Sequence, residues 1–364
     1  MDLTGWLRIR ATPRPLLVSV RGGRAVRLAV ERLSREWGWE LAAAPADADL
    51  LVVCGIPGAS IGEAVERVWA QLPSPRARSD IRTADDVADE LDRARARLGD
   101  LEQQRADSAG RASPAPIHGV AGAETDHHEH AVHHDMAGGH DMHMMHGGEV
   151  AGLPMADRAS DRDGLTLDQL HLTLGPVLSD WPAGLAMRLT LQGDVVQSAQ
   201  VEMVGEALSP VSSWDDTPAA GALDSLARLL SVCGWSTATR TARRLRDELL
   251  AGVVDAAELR TFARRLRRSR TLRWATDGIG RLDDTYGDLA GDATHRWRRW
   301  VDAIEGTRPA ADTNRGSRDR LRVALEELPG LLEGQELAAV RVVVASFDPD
   351  LDTLVAPHGT AAAR

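Results

Sequence analysis

Residues 15–38 read PLLVSVRGGRAVRLAVERLSREWG, and residues 49–71 read DLLVVCGIPGASIGEAVERVWAQ. Each opens on a short, unbroken apolar run rich in β-branched residues. Each then passes through glycine or proline punctuation and continues with apolar residues at helical spacing. That is strand, turn, helix, twice over. A strand with one wet face would alternate, so unbroken apolar strands predict a small parallel sheet covered on both faces. The expectation for residues 1–105 is an α/β lobe, a flavodoxin-like half with a trailing helix. That helix is predicted from a capping box of Thr83 and Asp86 through DVADELDRARARLGDLEQQ, whose charges interleave as on an exposed helix.

The composition changes near residue 106. Residues 106–160 are rich in Ala, Gly, Ser, Pro, His and Met and poor in large aliphatics, which predicts a disordered linker. Residues 161–356 resume folded patterning. LTLDQLHLTLGP and AGLAMRLTLQGDVVQSAQVEMVG alternate apolar and polar residues around Gly193-Asp194, the signature of a β-hairpin. Three or more helices are predicted over 221–307, and AAVRVVVASFDP reads as a final extended run, making the second lobe α+β and mostly helical. Residues 357–364 form a tail.

The chain has 364 residues, a formal charge of −11 and 43 basic residues, none of them lysine. An acidic balance of this size speaks against nucleic acid as a partner. There are two cysteines, Cys54 and Cys233, so the chain cannot alone supply the four thiolates of a cluster and no iron–sulfur cluster is expected. Cys54, inside an apolar strand, reads as a buried reduced thiol and Cys233 as an isolated thiol at a helix end. The opening MDLTGWLRIR lacks an apolar signal core and no run of eighteen apolar residues occurs, so a cytoplasmic protein is expected, peripheral at most on the inner face of the cell membrane.

Between residues 127 and 146 the linker reads HHEHAVHHDMAGGHDMHMMH. The candidate metal ligands are His127, His128, His130, His133, His134, Met136, His140, Met142, His143, Met144, Met145 and His146. Imidazole suits Cu(II), Ni(II) and Zn(II), and thioether sulfur suits Cu(I), so the mixture leans towards copper, with nickel or zinc as alternatives. Two uses fit such a tract, buffering or delivering metal and serving as a solvated spacer. It is not a catalytic site, which needs fixed geometry. Thr239–Arg273 holds eleven arginines against four acidic residues and reads as a solvated face or an interface for an acidic partner. His171 reads as a surface or structural histidine. Asp161 and Asp163 read as a turn before the hairpin, and Asp348 and Asp350 as a strand-ending turn. No Gly-rich phosphate loop, nucleophile elbow or triad is found, so no catalytic residue is named and the cofactor-binding residues are unknown.

DADLLVVCGIPGASIGEAVERVWAQLPSP, residues 47–75, resembles the cluster-bearing small subunit of respiratory complex I and of nickel–iron hydrogenases. The second lobe resembles the hydrogenase-derived large subunit of complex I. The resemblance rests on LGPVLSDWPAGLAMRLTLQGDVVQSAQVEMVG, LDSLARLLSVCGWSTATRTARRLRDELL, RRLRRSRTLRWATDGIGRLD and LEELPGLLEGQELAAVRVVVASFDPDLD, which follow in the family's order. It implies a condensed fusion of the two subunits. It also implies where ligands should lie, and there the sequence departs. The first cysteine loop falls at Arg21-Gly22-Gly23-Arg24, and RARSDIRTADD follows Pro73-Ser74-Pro75 in place of a cysteine-bearing strand. The histidines of the opening hairpin are replaced by Leu178 and Pro182, and the quinone-pairing tyrosine by Gly221 or Ala222. The chain's one tyrosine is Tyr286. Cys233-Gly234 is followed by Ser236 where a second cysteine would stand.

The expected function is therefore that of a non-catalytic or degenerate subunit of a complex I-like or hydrogenase-like membrane-associated oxidoreductase, acting in assembly or bridging. Its partners are the other subunits, and it meets the membrane only through them. The alternatives are a copper- or nickel-handling protein that uses the His/Met tract, and a quinone-binding subunit with substituted site residues.

Overall fold

The structure, a computed structural model, describes residues 12–110, 149–150, 153–154, 158–160, 166–206, 214, 217–306 and 314–354. The His/Met tract, the Asp161–Asp163 turn and the tail lie outside the described residues.

The first lobe is a three-stranded parallel sheet of β1 (Pro15–Ser19), β2 (Leu50–Cys54) and β3 (Ala77–Ile81), in that spatial order. All five residues of β2 are buried because both faces are covered. Leu50, Val52 and Cys54 share a cluster with Val26 and Val30 of α1 (Arg24–Glu36) and Val87 and Leu91 of α3 (Val87–Gly99). Leu51 and Val53 face the other way, onto Ile61 and Val65 of α2 (Ala59–Gln71). The chain changes face by passing round the free edge of β1, where the Ala42 amide donates to the Pro15 carbonyl at 2.8 Å. Gly23 lets α1 start hard against the sheet, since a Cβ there would stand 1.9 Å from the Cys54 carbonyl oxygen.

The trailing helix is two helices, α3 and α4 (Leu101–Gly110). The chain breaks at Asp100, whose carboxylate accepts from the Glu102 and Gln103 amides. The expected capping box is not formed. The Thr83 hydroxyl donates to the Asp86 carboxylate at 2.6 Å, and neither side chain caps the helix.

Short strands β4 (Glu149–Val150) and β5 (Leu153–Pro154) pair with each other. The second lobe carries a four-stranded antiparallel sheet of β6 (Arg158–Ser160), β7 (Thr166–Leu174), β8 (Leu185–Gln192) and β9 (Val195–Met203). The predicted hairpin is β8–β9, with Gly193 in the left-handed region (φ +61°) at its tip. Helices follow: α5 (Pro218–Val232), α6 (Ser236–Leu250), α7 (Ala256–Arg268), α8 (Arg270–Thr276), α9 (Ala293–Ile304), α10 (Asn314–Leu332) and α11 (Leu337–Phe347).

The last of these corrects the expected extended run. AAVRVVVASF is helical because it is buried on opposite sides at once. Val340, Val343, Val344 and Phe347 meet the sheet cluster while Val342 and Ala345 meet the cluster of α5, α6, α7 and α9. A helix apolar all round is what such a central position requires, and that environment outweighs the β-branched preference of its valines. No helix among the described residues is long and apolar enough to cross a membrane.

Candidate functional site

One face of α1 looks away from the sheet, onto α5 and α6 of the second lobe. Arg27 and Glu31, one turn apart on that face, meet Asp224 of α5 and Arg246 of α6. Arg27 grips Asp224 with both Nη atoms, at 2.7 and 3.1 Å, and donates to Glu31 at 2.8 Å. Arg246, with no exposed surface, donates to Glu31 at 2.7 Å, Asp224 at 2.6 Å and Asp247 at 2.7 Å. Arg228 joins Asp224 at 2.6 Å and also reaches Asp348, which accepts from Ser225 as well. Arg35 extends the network to Asp247 at 2.9 Å.

Burial alone pushes a carboxylic acid pKa upward. At Glu31 it is overcome by the guanidinium groups of Arg27, Arg246 and Arg243, which hold the group at about 2. Asp224 is held well below the usual range against its own desolvation, chiefly by Arg27, Arg228 and Arg246. At Asp348 burial prevails over Arg228 and Ser225, and its pKa is raised. Two lobes meeting through buried, mutually satisfied charges are fixed in register, because any slip would strand a charge out of water.

The loop after β1 completes the junction. Arg21 donates to the carbonyls of Gly205 and Leu351, both at 2.9 Å, the Gly22 amide donates to Asp352 at 2.9 Å, and Arg24 pairs with Asp350. The positions where the resemblance places a cysteine loop thus hold inter-lobe contacts. Asp348 and Asp350, read as a strand-ending turn, instead follow a helix. Asp348 is the left-handed C-cap of α11 (φ +40°), and both carboxylates bind arginines.

Between the lobes lies a cavity of about 1680 Å³. It opens beside the carboxyl end of β1 and along residues 38–43, facing residues 178–183, one side of α5 along its length and the first half of α6. Trp39, Trp181, Trp214 and Trp300 line it, which gives part of the tryptophan content a role as cavity wall. Arg24 lies 5.2 Å from the Trp214 ring centroid. The hydroxyls of Ser34 and Ser179 and the Arg228 Nε are buried with no hydrogen-bond partner among the described residues, and all three residues line this cavity. Leu178, Gly221 and Ala222 line it too, and Pro182 lies between the lining residues Trp181 and Ala183. Sequence positions far apart, singled out by the resemblance, therefore meet at one place.

The remaining positions lie elsewhere. Cys54 is fully buried and free, its thiol pushed by desolvation to about 12, and Cys233 at the C-cap of α5 is pushed to about 11 by the same cause. Tyr286 packs against the sheet cluster. His171 is exposed, with Nδ1 3.2 Å from the Thr190 hydroxyl. The arginine-rich segment divides. Arg243 and Arg246 of α6 turn inward to the junction, whereas those of α7 and α8 are on the surface. No family model, curated protein or solved structure matches the chain.

Proposed function

We propose that the chain is a two-lobed, non-catalytic subunit of a complex I-like or hydrogenase-like membrane-associated oxidoreductase, acting in assembly or in bridging its partners. The observation that carries the reading is the convergence of Arg24, Leu178, Gly221 and Ala222 on the walls of one inter-lobe cavity. In the family that the sequence resembles, these positions carry or adjoin cluster and quinone ligands, and here they are arginine, leucine, glycine and alanine. The first lobe adds support for the flavodoxin-like detail. A helix on each face and a chain that rounds the β1 edge fit a doubly wound sheet whose outer strand is reduced to the Ala42–Pro15 bond. In such sheets ligands sit outside the carboxyl ends of the strands where the winding reverses, and the cavity lies there.

The reading is tested by purifying the tagged chain from native membranes solubilised in mild detergent. Ion-translocating membrane subunits should co-purify, and a clean monomer from the same membranes would refute it.

A second reading, quinone binding with substituted residues, is favoured by the cavity's size and by the unpartnered Ser34 and Ser179 hydroxyls on its wall. A short-chain ubiquinone should then raise the melting temperature of the wild type and not of Leu178→Trp, which fills the wall. The His/Met tract supports a third, copper or nickel handling. Deleting residues 118–148 should abolish tight copper uptake, and uptake that survives the deletion rejects the tract as its site.

A further inference from the structure

Helix α7 turns Leu259, Phe262, Ala263 and Leu266 into the core and leaves its other side to solvent. Residues 256–276 contain seven arginines and one glutamate in a chain of net charge −11. Two of the seven are occupied, Arg267 by Asp302 and Glu305 and Arg265 by the Trp235 ring. Arg260, Arg264, Arg268, Arg270 and Arg273 are exposed, and none is in an ion pair with a carboxylate among the described residues. Next to Arg273 stands Trp274, 85% exposed, at the end of the short helix α8.

We propose that this face docks the chain directly on an anionic phospholipid surface, with arginines on lipid phosphates and the Trp274 indole at headgroup level. Arginine forks match phosphate oxygens. A bilayer interface is the environment in which an indole, half apolar and half hydrogen-bonding, is more favourably placed than in water. The arrangement favours lipid over an acidic protein. A protein pocket for tryptophan would meet an apolar rim, whereas the exposed sequence neighbours of Trp274 are Arg270, Thr271 and Arg273 on one side and Asp277 on the other, and a headgroup layer accepts a lone indole beside cations. The segregation of charge also orients the molecule, with its acidic remainder turned away from the leaflet. This goes beyond the proposed function, in which the membrane is reached through partners, and its test uses the isolated full-length chain, so either can fail alone.

The experiment is co-sedimentation with phosphatidylcholine vesicles with and without phosphatidylglycerol. The wild type should sediment only with phosphatidylglycerol present, and added salt should release it. At about fivefold per arginine, Arg270→Ala/Arg273→Ala should lower partitioning roughly 25-fold. Trp274→Ala should lower it several-fold, and the exposed control Arg95→Ala should change nothing. These side chains are on the surface, so the variants should keep the wild-type circular dichroism. Failure to sediment, or sedimentation indifferent to these variants, overturns the proposal. So does retention on polyglutamate or single-stranded RNA without vesicle binding, which would give the face to that partner instead.

Discussion

Arg246 is buried with three carboxylates, and its environment makes its loss expensive. Taking such a group out of water costs several kcal/mol, offset here by Glu31, Asp224 and Asp247. Arg246→Met keeps much of the volume and strands those acids, so it should destabilise the protein by about 3–5 kcal/mol in urea unfolding. A loss under about 1 kcal/mol would show that Arg27 and Arg228 suffice. The network also sets a pH window. Glu31 has a folded pKa of about 2 against an ordinary 4.5. A carboxyl depressed in this way contributes stability that is complete above its unfolded value and lost as pH falls through the folded one. The contribution of Glu31 should therefore fade between pH 4.5 and pH 2, and Glu31→Gln should flatten that part of the stability curve. None of this was legible in the sequence. Helical spacing puts Arg243 and Arg246 on one face of α6, but a face turned to water and one covered by a lobe some two hundred residues away have the same period. Only the partners, Glu31 and Asp224, tell them apart.

At the scale of elements, α1 joins the two lobes because it has two working sides. Val26 and Val30 seat it on the sheet, and Arg27, Glu31 and Ser34 present it to α5 and the cavity. Its seating depends on Gly23, where a methyl group would overlap the Cys54 carbonyl. Gly23→Ala should cost about 3 kcal/mol, the upper end for overpacking. It should also loosen the junction, seen as faster amide exchange in both α1 and α5; exchange confined to the first lobe would separate the two effects. The elements legible in advance, β1, α1, β2, α2, α3, the β8–β9 hairpin and the helices α5, α6, α7 and α9, are those whose apolar periodicity marks them in their own stretch of sequence. Two were not. Strand β3, ARSDI, buries Ala77, Ser79 and Ile81 and turns Arg78 and Asp80 outward, which is too short and too polar a pattern to stand out. The final valine-rich run is a helix because two clusters enclose it, a tertiary circumstance that local β-branched preference cannot register.

For the whole molecule, the question is whether the lobes are held by the chain between them or by their contact. The junction combines the buried ion-pair network with Arg21 bound to the Gly205 and Leu351 carbonyls, and Val177 and Val204 of the second lobe pack on the first lobe's apolar cluster. A close fit is built in, since a Cβ at Gly184 would meet the Arg21 side chain at 2.6 Å. Salt weakens exposed pairs far more than buried ones, so such a junction should survive both cutting the linker and raising ionic strength. With a specific protease site inserted between Gly138 and Gly139, cleavage should leave two fragments that co-elute on size exclusion at neutral pH, in low and high salt alike. Combining the cut with Arg246→Met should separate them, because the linker no longer enforces proximity and the junction carries unpaired acids. If the wild-type fragments separate on cleavage alone, the His/Met segment is what holds the molecule together, and the cavity exists only while the chain is intact.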